Sequence, residues 1–383
     1  MKVSAIIAEY NPFHNGHKYM IEKVKEHSDA AVVIMSGSFV QRGDAAVTDK
    51  WSRAMAALSN GADLVIELPV TYALNTAQRF AHGGVYIADA ICADELCFGS
   101  ESGDVQSLIN AADMIINEPA GVSEKIKGYV SEGMNYPSAR KLAYEGLIGT
   151  DILTMPNNIL ALEYICAINR LDSSIAPRAI KRRAVGHNDM TVTSDTASAS
   201  AIRNRIFDGG DVSDFVPYNA DEIANPYSLS RLDNAVIYKL RCQSAERFSQ
   251  INDVSEGLEN RIIKMSMESA SINELAEKIK TKRYTRTRIN RILLSAYLGL
   301  TKELCAINPP YIRILGMNGT GIKILGNIKK SCKLPIITKA ANYTKDDPVF
   351  RAELRATEAF SLCAPKACMR MGGADFKNSP IVL

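Results

Sequence analysis

Histidine is scarce in this chain, with five in 383 residues, and tryptophan occurs once. Long apolar runs are missing as well. No stretch approaches the roughly 18 apolar residues that a membrane-spanning helix requires, so no membrane partner is expected. The opening MKVSAIIAEYNPF does not read as a signal peptide, because its apolar part is too short and polar loop chemistry follows at once. The expectation is a cytoplasmic protein. Eight cysteines are present, but none forms a CxxC pair and no histidine lies near Cys305, Cys332, Cys363 or Cys368. That spacing suits neither a zinc site nor a redox pair, so scattered reduced thiols and no protein-bound metal are expected. Neither sign of charge dominates: the net charge is +3, and its distribution matters more than its size.

What is there reads as two parts. In the first half, VSAIIA (3–8), AAVVIM (30–35), DLVIEL (63–68) and DELCFGS (94–100) are short apolar runs separated by helix-patterned sequence. Thr48 is a plausible N-cap and Gly61 a plausible stop for the helix in TDKWSRAMAALSNG. Such alternation predicts an α/β domain, a Rossmann-like parallel sheet with helices on both faces. Residues 104–170 read as mainly helical, APRAIKRRAV (176–185) as a return strand, and SASAIRNRIFDGG as a short helix with a glycine stop. The Pro-, Asn-, Asp- and Ser-rich stretch near 210–230 suggests a boundary. The expected division is 1–215, a nucleotide-activating domain, and 216–383, a mainly helical and basic domain. Within the latter, PYIRILGMNG, IKILG and LPIITK read as short strands or helix-strand connections.

In such sheets ligands bind beyond the carboxyl ends of the strands. Two of the five histidines, His14 and His17, stand there, in AEYNPFHNGHKYM (8–20). A helix beginning near Gly16 would offer free N–H groups and the positive end of its dipole to an anion. Both imidazoles would face that volume and donate hydrogen bonds to phosphate oxygens as charge builds. Gly16 would let the backbone approach closely. The blander reading is a surface turn with two solvated histidines. A second stretch, SASAIRNR (198–205), sets Ser198 and Ser200 at a helix start with Arg203 a turn later, which suits a polyphosphate tail; alone, it is an N-cap with a surface arginine.

These residues match known patterns. HNGH after a first strand is the HxGH pattern of the nucleotidyltransferase superfamily, and SASAIR resembles its ISSTxIR pattern at Ser198, Ser200 and Arg203. The segments GSFVQRGDAAVTDKWSRAMAALSNGADLVIELP (37–69), RFAHGGV (79–85), FGSE (98–101), PNNILALEY (156–164), IKRRAVGHND (180–189), KRYTRTRINRILL (282–294) and YIRILGMNGTG (311–321) are more specific. Together they resemble the bacterial tRNA(Met) cytidine acetate ligase family over nearly the full length.

The resemblance implies a two-step reaction: ATP and acetate give acetyl-adenylate and pyrophosphate, and the acetyl group passes to N4 of the wobble cytidine of elongator tRNA(Met). Acetate and elongator tRNA(Met) are the implied partners, not DNA. The implied ATP site comprises Ile7, Ala8, Glu9, Tyr10, Asn11, Pro12, Phe13, His14, Asn15, Gly16, His17, Lys18 and Tyr19, then Gly99, Asn157 in preference to Asn158, and Arg182, with Ser198 and Ser200. His14, His17, Lys18 and Arg203 would neutralise the triphosphate with Mg²⁺ carried on it. The pattern departs at GHND, where a GYHD-like ending is expected, leaving His187 and Asn188 without a role.

Two further expectations concern charge. After the second strand, Lys50 or Arg53 would hold acetate or the receiving nucleotide, with Asp44 or Asp49 orienting them; otherwise Lys50, Trp51 and Arg53 begin a solvated helix face. Between Lys278 and Arg291 there are seven Lys or Arg and no acid. Lys282, Arg283, Arg286, Arg288 and Arg291 would neutralise tRNA phosphates and Tyr284 would stack on a base; a solvated helix is the plain alternative. The rival functions are a transferase building a small cofactor and a non-catalytic tRNA- or ribosome-binding factor.

Overall fold

The protein was analysed as a computed structural model that describes residues 1–182, 197–255 and 257–383. His187 and Asn188 lie outside them. The strands are β1 (Val3–Ala8), β2 (Ala30–Ser36), β3 (Phe39–Val40), β4 (Asp44–Ala45), β5 (Leu64–Leu68), β6 (Glu95–Ser100), β7 (Ala176–Lys181), β8 (Ile312–Met317), β9 (Ile336–Ile337) and β10 (Ile381–Val382). One sheet runs β10-β8-β5-β2-β1-β6-β7, with β9 paired to β8, and β3-β4 forms a separate hairpin. Every pairing in the large sheet is parallel except β5 with β8.

The sheet is therefore mixed, mostly parallel, and not confined to residues 1–215. Strand β8 returns from the last quarter of the chain to pair with β5, and Gly321 packs so close to the Asp63 carbonyl that any Cβ would clash at 2.0 Å. IKILG lies inside the helix Gly319–Ser331 and is neither a strand nor a connection. The helix Lys50–Ser59 is capped not by Thr48 but by Asp49, whose Oδ1 accepts from the N–H groups of Trp51 and Ser52. Carboxylate caps of this kind contribute about 1 kcal/mol. Gly61, at φ 102°, follows the C-cap Asn60.

From β1 the chain moves through β2 to β5 on one side, then crosses to β6 and β7 on the other. In sheets of this kind ligands bind at such a reversal, here beyond the carboxyl ends of β1 and β6. Apolar layers cover both sheet faces, with Val32, Ile34 and Ile66 turned one way and Val33, Met35 and Val65 the other. A separate core joins helices between 227 and 305, among them Arg286–Leu298, to Pro348–Ser361, and takes in Phe39 and Val40 of the hairpin. No helix among the described residues is long and apolar enough to cross a membrane.

Candidate active site

The turn after β1 is built around its two histidines. His14 is the N-cap of the helix Asn15–Lys25; its Nδ1 accepts from the Gly16 N–H at 3.1 Å, and His17 Nδ1 accepts from the His14 N–H at 3.2 Å. The two imidazoles thus form a reciprocal capping box, a task usually given to Ser or Thr with Glu or Gln. Each Nδ1 acts as an acceptor, so in the neutral ring the proton sits on Nε2. Neither Nε2 has a hydrogen-bond partner among the described residues. The rings stack at 3.7 Å between centroids. Burial, reinforced by Arg182 and Arg203, pushes the His14 pKa down to about 3; burial, with His14 and Arg182, also lowers His17 well below its ordinary value. Both rings are therefore neutral Nε2–H donors at physiological pH.

Gly16 has a definite steric role. A Cβ there would meet the His14 ring at 2.9 Å. Tyr10, in the left-handed region at φ 49°, and Phe13 are core residues packed against His17, and the Asn11–Pro12 bond is cis. Of the implied ATP contacts, Ile7, Tyr10 and Phe13 therefore turn their side chains into the core. Asn11 is a hub: its Oδ1 accepts from the Val47 N–H, and its carbonyl accepts from Arg203 Nη1 at 2.7 Å.

The second stretch comes to the same place. Ser198 caps Ala199–Phe207, and Arg203 Nη2 donates to Ser200 Oγ at 3.0 Å. Asn15 donates to the carbonyls of Phe215 and Asp214, and the Tyr218 hydroxyl to the Phe13 carbonyl. Residues 198–218 thus wall one side of the turn. Gly99 on β6 lies beside Arg182, whose Cγ an added Cβ would meet only at ordinary contact, 3.4 Å. Asn158 is engaged structurally, its Oδ1 accepting from the Ser100 hydroxyl and the Glu101 N–H. Asn157, half-buried at the start of Pro156–Arg170, donates to Glu101. Glu101, although part of FGSE, had no role in the sequence reading; its carboxylate accepts from the N–H groups of both asparagines.

Lys50 and Arg53 are both buried and engaged within the protein. Lys50 is 1% exposed; it donates to Glu67 at 2.6 Å and Thr357 at 3.1 Å and pairs with Asp375 at 2.8 Å. Arg313 joins Glu67 and Asp375, and Glu353 lies 3.9 Å from Lys50. Burial and the neighbouring Glu67 raise the Glu353 pKa far above the usual carboxylate range. Arg53 donates to the carbonyls of Thr48, Glu9, Ser36 and Gly37, fixing the ends of β1 and β2. Asp49 is engaged as the helix cap, which leaves Asp44, exposed on the hairpin, in the site's field.

The basic stretch is also largely engaged within the protein. Arg288 and Arg291 both pair with Asp253 at 3.1 Å, and Arg286 with Glu277 and Asn273. Tyr284 is buried, 8% exposed. Lys282 is exposed; its carbonyl accepts from Asn135. Elsewhere, His27, Glu95 and Cys97 group their ligand atoms within 4.8 Å. Lys2 and Arg178 already neutralise Glu95, each at 2.9 Å, and burial pushes the Cys97 thiol up to about 11, so the group does not favour a cation.

The model of the HIGH nucleotidyl transferase family matches residues 1–375, and a tRNA(Met) cytidine acetate ligase of Thermoanaerobacter sp. strain X514 is 39% identical with all of both chains covered. The chain belongs to the HIGH nucleotidyl transferases, in the tRNA(Met) cytidine acetate ligase family. The ligase of Acetivibrio thermocellus is 37% identical, again over all of both chains. A crystal structure of Thermotoga maritima TmcAL bound with alpha-thio ATP aligns over all of both chains at 32% identity and a TM-score of 0.91. The apo form of that protein aligns at 33% and 0.92. The whole length of this HIGH nucleotidyl transferase is thus shared with these ligases.

Proposed function

We propose that the chain is an ATP-dependent ligase that joins acetate to N4 of the wobble cytidine of elongator tRNA(Met) through acetyl-adenylate, releasing AMP and pyrophosphate. The full-length similarity to tRNA(Met) cytidine acetate ligases carries this reading. Acetate is a poor acyl donor because oxide is a very bad leaving group, whereas an adenylate leaves as a phosphate. The first step therefore needs the α-phosphorus held in line with the carboxylate and the growing negative charge stabilised. His14 and His17 are suited to this as neutral Nε2–H donors, together with the N-terminus of Asn15–Lys25. Arg203, Arg182, Lys18, Ser200 and Asn157 would hold the phosphates and adenosine around Gly99. Mg²⁺ would arrive on the ATP phosphates and supply further charge neutralisation. Lys50 and Arg53 act as framework in this scheme.

The helical core between 227 and 305 is the proposed tRNA-docking part, with exposed Lys282 and neighbouring Arg283 as its contacts. Work on tRNA would put the enzyme in the cytoplasm. Incubation with ATP, Mg²⁺ and labelled acetate, with and without tRNA, tests the whole reading. Acetyl-AMP without tRNA and label on tRNA when it is added are the expected outcomes. Formation of neither product would favour a cofactor-building transferase or a non-catalytic RNA-binding factor.

A further inference from the structure

Glu9 is a carboxylate in a site rich in anion-binding groups, where Glu101 is already engaged by Asn157 and Asn158 and Asp44 stands out on the hairpin. Glu9 follows β1, five residues before His14. Its carbonyl accepts from Arg53 Nη1 at 2.8 Å, and its Oε1 accepts from the Gln41 N–H at 2.8 Å. These contacts fix the backbone and one carboxylate oxygen. Its Oε2 has no hydrogen-bond partner among the described residues, and the side chain is only half-buried. Arg203, Arg42 and Arg53 surround it electrostatically, and buried Tyr164 packs within its field. A carboxylate repels a triphosphate, so Glu9 is badly suited to grip the ATP tail that His14, His17 and Arg203 would hold. A different substrate, one with a proton to lose, fits it better.

We infer that Glu9 is the catalytic base of acetyl transfer, its Oε2 taking the proton from N4 of the incoming cytidine. This deepens the ligase reading above and rests on it. The exocyclic amine shares its lone pair with the pyrimidine ring and is a weak nucleophile. As its nitrogen bonds to the acetyl carbonyl carbon, the bond from that carbon to the adenylate oxygen breaks. The electron pair leaves with AMP, and the N4 proton passes to Glu9 and then to water. A fixed acceptor also discriminates bases: it meets an N–H on cytidine and would meet the O4 lone pairs on uridine, a mismatch of the kind sites reject strongly. Burial raises the Glu9 pKa above the usual carboxylate range, with the Gln41 N–H and the three arginines opposing it. The group is thereby a better proton acceptor than an exposed glutamate.

The test bypasses adenylate formation. Synthetic acetyl-AMP is supplied to the full-length protein with elongator tRNA(Met), and single-turnover transfer is followed from pH 5 to 9 for wild type, Glu9→Gln and Glu9→Asp. Wild type is expected to lose rate as pH falls through one protonation, because a protonated Glu9 cannot accept. Glu9→Gln should lower the saturated rate by about 10²- to 10⁴-fold, the span usual for a general base, and lose that pH limb. Glu9→Asp should retain the limb at an intermediate rate, which a merely structural role for the side chain would not produce. A Glu9→Gln protein that transfers at the wild-type rate, or keeps the pH limb, overturns the assignment while leaving the ligase reading intact. Wild-type protein that transfers nothing overturns both.

Discussion

Two groups of polar side chains stand near the same edge of one sheet, and they are built in opposite ways. Around the β1 turn, His14, His17 and Arg203 bond backbone groups with part of their hydrogen-bonding capacity, and both Nε2–H donors remain without partners among the described residues. Near the end of β5, Lys50, Glu67, Arg313, Glu353 and Asp375 face one another, each no more than 4% exposed. In the proposed reading the first arrangement leaves donors for a ligand. In the second, the charges answer each other, and the product is a junction between the sheet, the helix Pro348–Ser361 and residues 374–377. What separates a site from a structural node here is whether the partners come from the protein.

The sharpest way to break this contrast is to remove Lys50. Lys50→Ala leaves three buried acids facing Arg313 alone, and unfolding by urea should become easier by about 3–5 kcal/mol, the usual cost of breaking a buried ion pair. Selective loss of acetate binding with normal stability would restore Lys50 to the site. His14→Ala should act the other way. Acetate-dependent pyrophosphate exchange should fall by about 10²- to 10³-fold, as when one preorganised donor to a developing charge is lost, with tRNA binding retained in a filter assay. In Gly16→Ala the new methyl displaces the His14 ring, and a misplacement near 1 Å should lower the same exchange by about 10²-fold. A wild-type rate in that variant would mean that ring position is unimportant.

The smallest effect concerns pH. An unfolded histidine takes up a proton below pH 6.5, whereas folded His14 stays neutral down to about 3. The unfolded state therefore binds more protons in that window, and stability should fall as pH drops through it. His14→Gln should lose part of this slope in urea titrations at pH 6.5 and 5. An unchanged slope would mean that the imidazole titrates normally in the folded protein.

Legibility in the sequence followed the distance between partners. The first strands and the His14–His17 pair were readable because β1, its turn and the next helix are contiguous, and a glycine between the histidines marks the crowding that the structure contains. Strand β8 was readable as a strand but not as a neighbour of β5, nearly 250 residues earlier, because nothing local specifies pairing across such a separation. The surroundings of Lys50 were hidden for the same reason: its partners come from positions 67, 357 and 375. The basic stretch lacks acids within itself, yet Asp253 and Glu277 reach it from outside. A run of charge in sequence thus reports composition, while its availability to RNA depends on counterions the run does not contain.

The central claim is that the β1 turn is an ATP cradle with two neutral imidazole donors. A crystal structure with a nonhydrolysable ATP analogue tests it most directly. The account expects the phosphates within hydrogen-bond distance of His14 and His17 Nε2 and beside Arg203, with both Nδ1 atoms still accepting from backbone N–H groups. An analogue bound elsewhere, or imidazoles that turn their Nδ1 atoms to the ligand, would contradict it.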